Sequence, residues 1–428
     1  GGGERRGWGR VEGAGARTAV MTTKGPSLEG RRQGARDVGT VGAFVVGVMM
    51  FANIVDMGGG WWIKYLSTFV AAGYVFLNAG RLHFERAPLL IVAFVFGIGP
   101  AWALANGIVS GGDLSVATTR VTPFFVGIIY YLLLSRGGSR LALQVFFRTA
   151  LGLAALTIGL IIGLFLAPEF PPLAATFDYL KTLDDIQGKF GRRAIGPIVW
   201  YSIYFKATLF YVPAFVYYLY RERFVYSAVL FVALTLSVSK SGILLCGLFT
   251  VWFVLTHGSL RVQAGAVGMV AGLVATALYV VDVEVTVAYA NYFIETVTGE
   301  AETSQIRIGQ LASFVDLMGE NPTYLLWGQG VGTAFYSAGK GEVTYNIELA
   351  HIDTIRQFGL LWFIAFSLCV AYVALRLIRR RSRIDNGVGY ATVSIFVAAG
   401  TNPLLITPLF MMLLATCYYY AEASAPEL

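Results

Sequence analysis

Apolar residues run along this chain in stretches of membrane length, separated by short polar turns. About 20 apolar residues span a bilayer as an α-helix. Twelve stretches approach that length, near 39–56, 61–80, 88–109, 121–135, 141–167, 197–220, 224–238, 241–256, 262–281, 347–375, 388–400 and 402–420. The pattern predicts an all-α polytopic membrane protein of about twelve transmembrane helices. Ahead of the first stretch, residues 1–38 are rich in Gly and Arg and hold no apolar run, so a disordered basic segment is expected there. Met21 inside it is the expected natural start, and the first apolar span then serves as an uncleaved signal. Residues 39–428 form a single membrane domain.

The charges sort the loops. Numbered alternately, one set holds Arg31, Arg32 and Arg36, Arg81 and Arg86, Arg136 and Arg140, Arg221 and Arg223, Arg261, and Arg376, Arg379, Arg380, Arg381 and Arg383. Short basic loops face the cytoplasm, and an even span count puts both termini there. The opposite face carries 56–60, 110–120, 168–196, the turn 237–241, 282–346 and 400–403. Two of these loops are large and are expected to carry short amphipathic helices. Composition agrees: 56 % of residues are hydrophobic and 13 % charged, against roughly a quarter charged in soluble domains. The net charge of +7 is therefore a statement about orientation, not about nucleic acid. Cys246, Cys369 and Cys417 lie in apolar runs and read as packed, reduced thiols. No two His or Cys residues stand at metal-ligand spacing, so neither a metal nor a cofactor is expected.

The longest interruption, Asp282–Asn346, is acidic, and the chain re-enters apolar sequence through Glu348-Leu-Ala-His-Ile-Asp-Thr-Ile-Arg-Gln-Phe-Gly359. Ionisable groups carried toward hydrocarbon cost a few kcal/mol each and usually mark a site. Read as one helix, this segment places His351 about 60° and Arg356 about 80° from Glu348, on one broad face. Asp353 and Arg356, three apart, are spaced to pair. His351 is the candidate general base, with Glu348 beside it.

Arg307 stands in Ser304–Met318, whose Ile306, Leu311, Phe314 and Leu317 fit an amphipathic helix against the membrane. It is either a snorkelling or acid-paired residue or a bidentate phosphate clamp. Lys240, in Ser237-Val-Ser-Lys-Ser-Gly242, either completes an anion pocket at a helix end or reaches water from a simple turn. Secondary candidates are Lys206, mid-span, and Arg120, where the fourth span begins. Arg148, in the fifth span, reads as a packing or headgroup residue. Gly328-Gln-Gly-Val-Gly332 follows no strand and is no nucleotide fingerprint. No internal repeat is visible, which weighs against many transporter folds.

The order of these features is informative: a Ser-Val-Ser-Lys-Ser-Gly turn, a long outer loop with an early Arg, Asn321-Pro322 leading to Leu-Trp-Gly-Gln-Gly-Val-Gly332, then Glu348-x7-Arg356-x2-Gly359. This order resembles the O-antigen polymerase and O-antigen ligase superfamily, integral membrane glycosyltransferases of the GT-C type. The resemblance covers motifs over roughly 230–365 and topology over the whole chain. It implies a metal-independent transfer of oligosaccharide from a polyprenyl (undecaprenyl) diphosphate donor to a lipid-linked acceptor, at the periplasmic face of a bacterial inner membrane. Family ligases place a His eleven residues before the matched Gly, where this chain has Glu348. Polymerases more often have an acid there, and they carry essential arginines in two outer loops, matched in position by Arg192 or Arg193 and by Arg307. The resemblance thus implies a polymerase, with Glu348, His351 and Arg356 at the chemistry and Arg307, Lys240, Arg192, Arg193, Arg120 and Lys206 toward the diphosphate. Implied partners are the lipid-linked donor and acceptor, membrane lipid and a chain-length regulator. The alternatives are a ligase onto lipid A-core and, in another class, a flippase for lipid-linked sugars that uses Lys206 and Arg148.

Overall fold

The computed structural model describes residues 28–81, 93–135, 137–195, 198–256, 259–280, a few positions between 287 and 299, 302–380, 382–400 and 402–423. Met21, His83, Arg86, Arg136, His257, Arg381 and most of the acidic run from 281 to 301 lie outside the described residues.

The chain is mostly helical. Helices α1 (Leu28–Val55), α2 (Ile63–Leu77), α3 (Gly99–Val109, entered through a π turn at Ala93–Ile98), α4 (Leu114–Leu134) and α5 (Ser139–Leu166) follow in order. After α6 (Pro171–Thr182) comes an antiparallel hairpin, β1 (Gly188–Ile195) and β2 (Ile198–Phe205). A 3-10 turn at Lys206–Phe210 leads into α7 (Tyr211–Tyr220), then α8 (Phe224–Leu236), α9 (Lys240–Thr256) and α10 (Leu260–Val280). The next polar region folds as α11 (Glu302–Glu320), α12 (Thr323–Trp327) and a small hairpin, β3 (Phe335–Ser337) with β4 (Glu342–Thr344). The chain closes with α13 (Ala350–Phe358), α14 (Leu360–Ile378), α15 (Arg383–Ala399) and α16 (Pro408–Ala423). Among the described residues, α4, α5 and α14 are long and apolar enough to cross a membrane, and shorter apolar helices cover 40–55, 63–77, 93–109, 224–236, 240–256 and 260–273.

Three expectations change. The first helix begins at Leu28, so residues 28–38 are helical rather than disordered. Their Leu, Glu, Arg, Gln and Ala are good helix formers, able to extend an apolar helix past its apolar end. The expected span 197–220 is not one helix. Ile198-Val-Trp-Tyr-Ser-Ile-Tyr-Phe205 is rich in β-branched and aromatic residues and pairs with β1 over its full length. Third, Glu348 is not helical: α13 starts at Ala350, so the angular relation of Glu348 to His351 and Arg356 does not exist.

The hairpin is tied to the bundle, with the Trp200 indole donating to the Leu236 carbonyl (2.8 Å) and Ser237 Oγ donating to the Ile203 carbonyl (2.8 Å). Helix α7 is buried at every position, Tyr211 through Tyr220. A helix apolar all round belongs in a core, and α5, α8, α9 and α15 surround it.

The loops gather at two ends. At one, the Gly58 amide donates to Gln187 Oε1 (3.0 Å), the Asp113 amide to the Gly332 carbonyl (2.8 Å) and Asn402 Nδ2 to Ser241 Oγ (3.2 Å). At the other, Arg383 pairs with Glu222 (2.7 Å), Arg376 with Glu422 (2.6 Å), and Arg380 donates to the Ala421 carbonyl. The first is here called the loop end and the second the basic end.

Candidate functional site

The loop end is roofed by α11, α12, β3–β4 and α13. Their seat is a backbone splice against α3. The Val331 amide donates to the Ala103 carbonyl (3.0 Å), and Asn106 Nδ2 donates to the Gly328 carbonyl (2.6 Å). Gly328, Gly330 and Gly332 all have positive φ, and a Cβ on Gly330 would lie 2.2 Å from the Gly107 nitrogen. Only glycine lets two backbones approach this closely without a steric penalty. The glycine-rich turn is therefore a joint.

Arg356 locks that joint from inside. It is fully buried, donating to Asp353 Oδ1 (3.1 and 2.9 Å), Gln329 Oε1 (2.9 Å), the Thr333 carbonyl (3.1 Å) and the Tyr345 carbonyl (2.7 Å), with its guanidinium 4.8 Å from the Phe335 ring centre. The expected Asp353–Arg356 pair is present. Asp353 also accepts from Gln357 Nε2 (2.7 Å) and stands 3.9 Å from Arg120. All the N–H donors of Arg356 are thus engaged within the protein. The sequence reading, which put it at the chemistry, could see its charge but not its partners.

Arg120 lies in the second turn of α4, not at its start, because Asp113 caps the helix further back by accepting from the Ser115 and Val116 amides (2.8 and 3.0 Å). Its side chain stays 19 % exposed, the open member of the Arg120–Asp353–Arg356 chain.

Arg307 and Glu348 form the other charged pair. Arg307, on α11, donates through Nε to Glu348 Oε2 at 3.3 Å, and both side chains are partly exposed, 28 % and 36 %. One turn along α11, Gln310 Oε1 accepts from the Glu348 amide (2.9 Å) and fixes that backbone. Sequence reasoning missed Gln310, although its i+3 spacing from Arg307 was visible. On the hairpin side, Ser237, in the turn before Lys240, donates through Oγ to the Ile203 carbonyl of β2 (2.8 Å). So the clamp candidate is joined to the carboxylate, and the hairpin to the turn that carries Lys240. Lys240 opens α9 there, partly exposed.

Helix α11 departs from the expected packing. Phe314 is buried with Phe335 and Ile347, and Leu317 packs on that cluster, while Ile308, Leu311 and Val315 form a separate exposed stripe.

His351 faces elsewhere. Its Nε2 is 3.0 Å from the Phe396 carbonyl, and its ring sits against Phe363 and Phe396. Burial pushes its pKa below the ordinary value of 6.5, with the Phe396 carbonyl opposing. Lys206 is not mid-span: it opens the 3-10 turn at the loop end, and its amide donates to the Gln187 carbonyl (2.8 Å). Arg192, exposed on β1, lies 5.1 Å over the Tyr201 ring. Arg193 pairs in register with Trp200; its side chain lies outside the described residues. No contact among the described residues joins Arg192 or Lys206 to Arg307.

No protein-family model matches the sequence, and no curated protein matches it.

Proposed function

We propose that this chain is a polytopic membrane glycosyltransferase of the O-antigen polymerase type, with about twelve spans, acting at the outer face of a bacterial plasma membrane. It would transfer an oligosaccharide from polyprenyl diphosphate to a lipid-linked acceptor sugar. The observation that carries the reading is the half-open Arg307–Glu348 pair, a phosphate-binding guanidinium held beside a carboxylate.

In the free protein the pair is closed. An incoming diphosphate offers Arg307 a stronger, bidentate partner. Exchange of that partner releases Glu348. The acceptor hydroxyl then attacks the anomeric carbon, its proton passes to Glu348, and the bond from that carbon to the diphosphate oxygen breaks. Charge developing on the departing diphosphate falls on Arg307, with Arg120 and Lys240 as further candidates at the loop end. Arg356 and Gln310 act as positioning residues. His351, turned toward the Phe396 carbonyl, stands apart from the pair, which favours the polymerase reading over the ligase one.

The deciding experiment is elongation by purified protein in detergent on a synthetic polyprenyl-diphosphate oligosaccharide. A glycan ladder supports the proposal. Transfer only to lipid A-core would identify a ligase, and movement of the lipid-linked sugar across vesicles without elongation would identify a flippase.

A further inference from the structure

The basic end holds a cleft of roughly 670 Å³ that the proposed reaction does not use. Four arginines line it, Arg140, Arg148, Arg221 and Arg223, against one carboxylate, Asp385. That carboxylate is buried and already accepts from the Tyr420 hydroxyl (2.6 Å). The nearby Glu222 is engaged by Arg383 (2.7 Å). Among the described residues, none of the four lining arginines is held by an ion pair.

The arrangement is built rather than scattered. Arg140, Gln144 and Arg148 recur every fourth residue on α5, and all three are exposed, so they form one polar stripe descending into an otherwise apolar helix. At 1.5 Å per residue, Arg148 lies about 12 Å below Arg140 along that helix. An arginine at such depth is costly unless something compensates its charge. Arg221 is braced from the other wall. Its Nη1 donates to the Tyr217 hydroxyl (2.9 Å) and its guanidinium covers the Tyr217 ring at 5.3 Å. Tyr217 is itself stacked flat on Phe147 at 3.6 Å, which gives the cleft an aromatic floor.

We infer that this cleft binds a phosphate group. Guanidinium forks fit phosphate oxygens bidentately. A cationic wall above an aromatic floor suits a phosphate that carries apolar chain, so an anionic lipid headgroup is the expected source and a free phosphate the other. The inference does not depend on the reaction at the loop end.

The test uses the full chain, delipidated in detergent and titrated separately with phosphatidylglycerol, phosphatidylcholine and inorganic phosphate. Binding is read by native mass spectrometry and by thermal unfolding. Phosphatidylglycerol is expected to be retained and to raise the unfolding temperature, with phosphatidylcholine retained about tenfold less. Stabilisation by inorganic phosphate alone would keep the site and assign it to a soluble ligand. The R148Q/R223Q variant should lose the preference, while R383Q, whose arginine is paired with Glu222 outside the cleft lining, should keep it. If the double variant does not fold, the wild-type preference decides. Equal retention of both lipids with no response to phosphate overturns the inference, and so does a folded R148Q/R223Q protein that keeps the preference.

Discussion

Arg307 and Glu348, 41 positions apart in sequence, meet at 3.3 Å on the half-open face of the loop end, while Arg356, on the neighbouring helix, is sealed beneath it. Two arginines that look alike in sequence thus separate into one that can meet a ligand and one that cannot.

The open pair should fail in activity and not in folding. Glu348→Gln keeps the size and removes the base. It should lower the elongation rate by about 10²–10⁴. Arg307→Ala should lower it by roughly 10²–10³, and Arg307→Lys should recover part of that, since a point charge replaces a fork. Rates are read from glycan ladders, with retention volume and unfolding temperature as folding checks. Normal rates in Glu348→Gln would discard the assigned base.

The sealed arginine should behave in the opposite way. Arg356→Met leaves Asp353 with only the longer contact to Arg120 (3.9 Å), and losing one partner of a buried pair costs up to about 3–5 kcal/mol. The variant should unfold at distinctly lower temperature or fail to accumulate. Replacing Asp353 as well, with Asn, should recover part of the loss, because the buried charge that has lost its close partner is gone. An Arg356→Met protein as stable as wild type, but inactive, would return Arg356 to the chemistry.

His351 should report on stability more than on rate. Its pKa is held below 6.5 in the fold and returns toward that value on unfolding, so the unfolded chain takes up the proton more readily as pH falls. Stability from this group is therefore full above about pH 6.5 and declines as pH drops through the folded value. His351→Gln should flatten that part of the profile of unfolding temperature against pH. An unchanged profile in the variant would remove His351 as its source.

Accessibility tests the proposed orientation. Single cysteines replacing Asp316 or Glu342, on the roof of the loop end, should react with a membrane-impermeant maleimide added to intact cells, while one replacing Arg379 should react only after permeabilisation. The opposite pattern would place the site in the cytoplasm.

Most of the helices were legible because lipid demands long apolar runs and the turns between them are short. The hairpin was not. Tyr201–Phe205 is as apolar as the helix it leads into, and hydropathy alone merges the two; the aromatic and β-branched content of Ile198–Phe205 was the available signal. Arg307 and Glu348 were legible as outliers of charge. Their meeting was not, because it depends on the fold of β3–β4 and on the Gln310 contact to the Glu348 backbone. The burial of Arg356 was not legible for a related reason: a charge on a helix says nothing of how many of its donors the fold consumes.

The splice of α3 to the glycine turn also sets an order of assembly. Asn106 waits 222 residues for the Gly328 carbonyl, and the Ala103 carbonyl waits for the Val331 amide. In a growing chain, α3, α4 and α5 are made long before those partners leave the ribosome. Until they do, α3 has bare glycine at Gly107, and Asn106 Nδ2 lacks the Gly328 carbonyl. The roof cannot be seated until the second half of the protein has been made, so the loop end is finished late, and a truncated or stalled chain carries apolar helices without it.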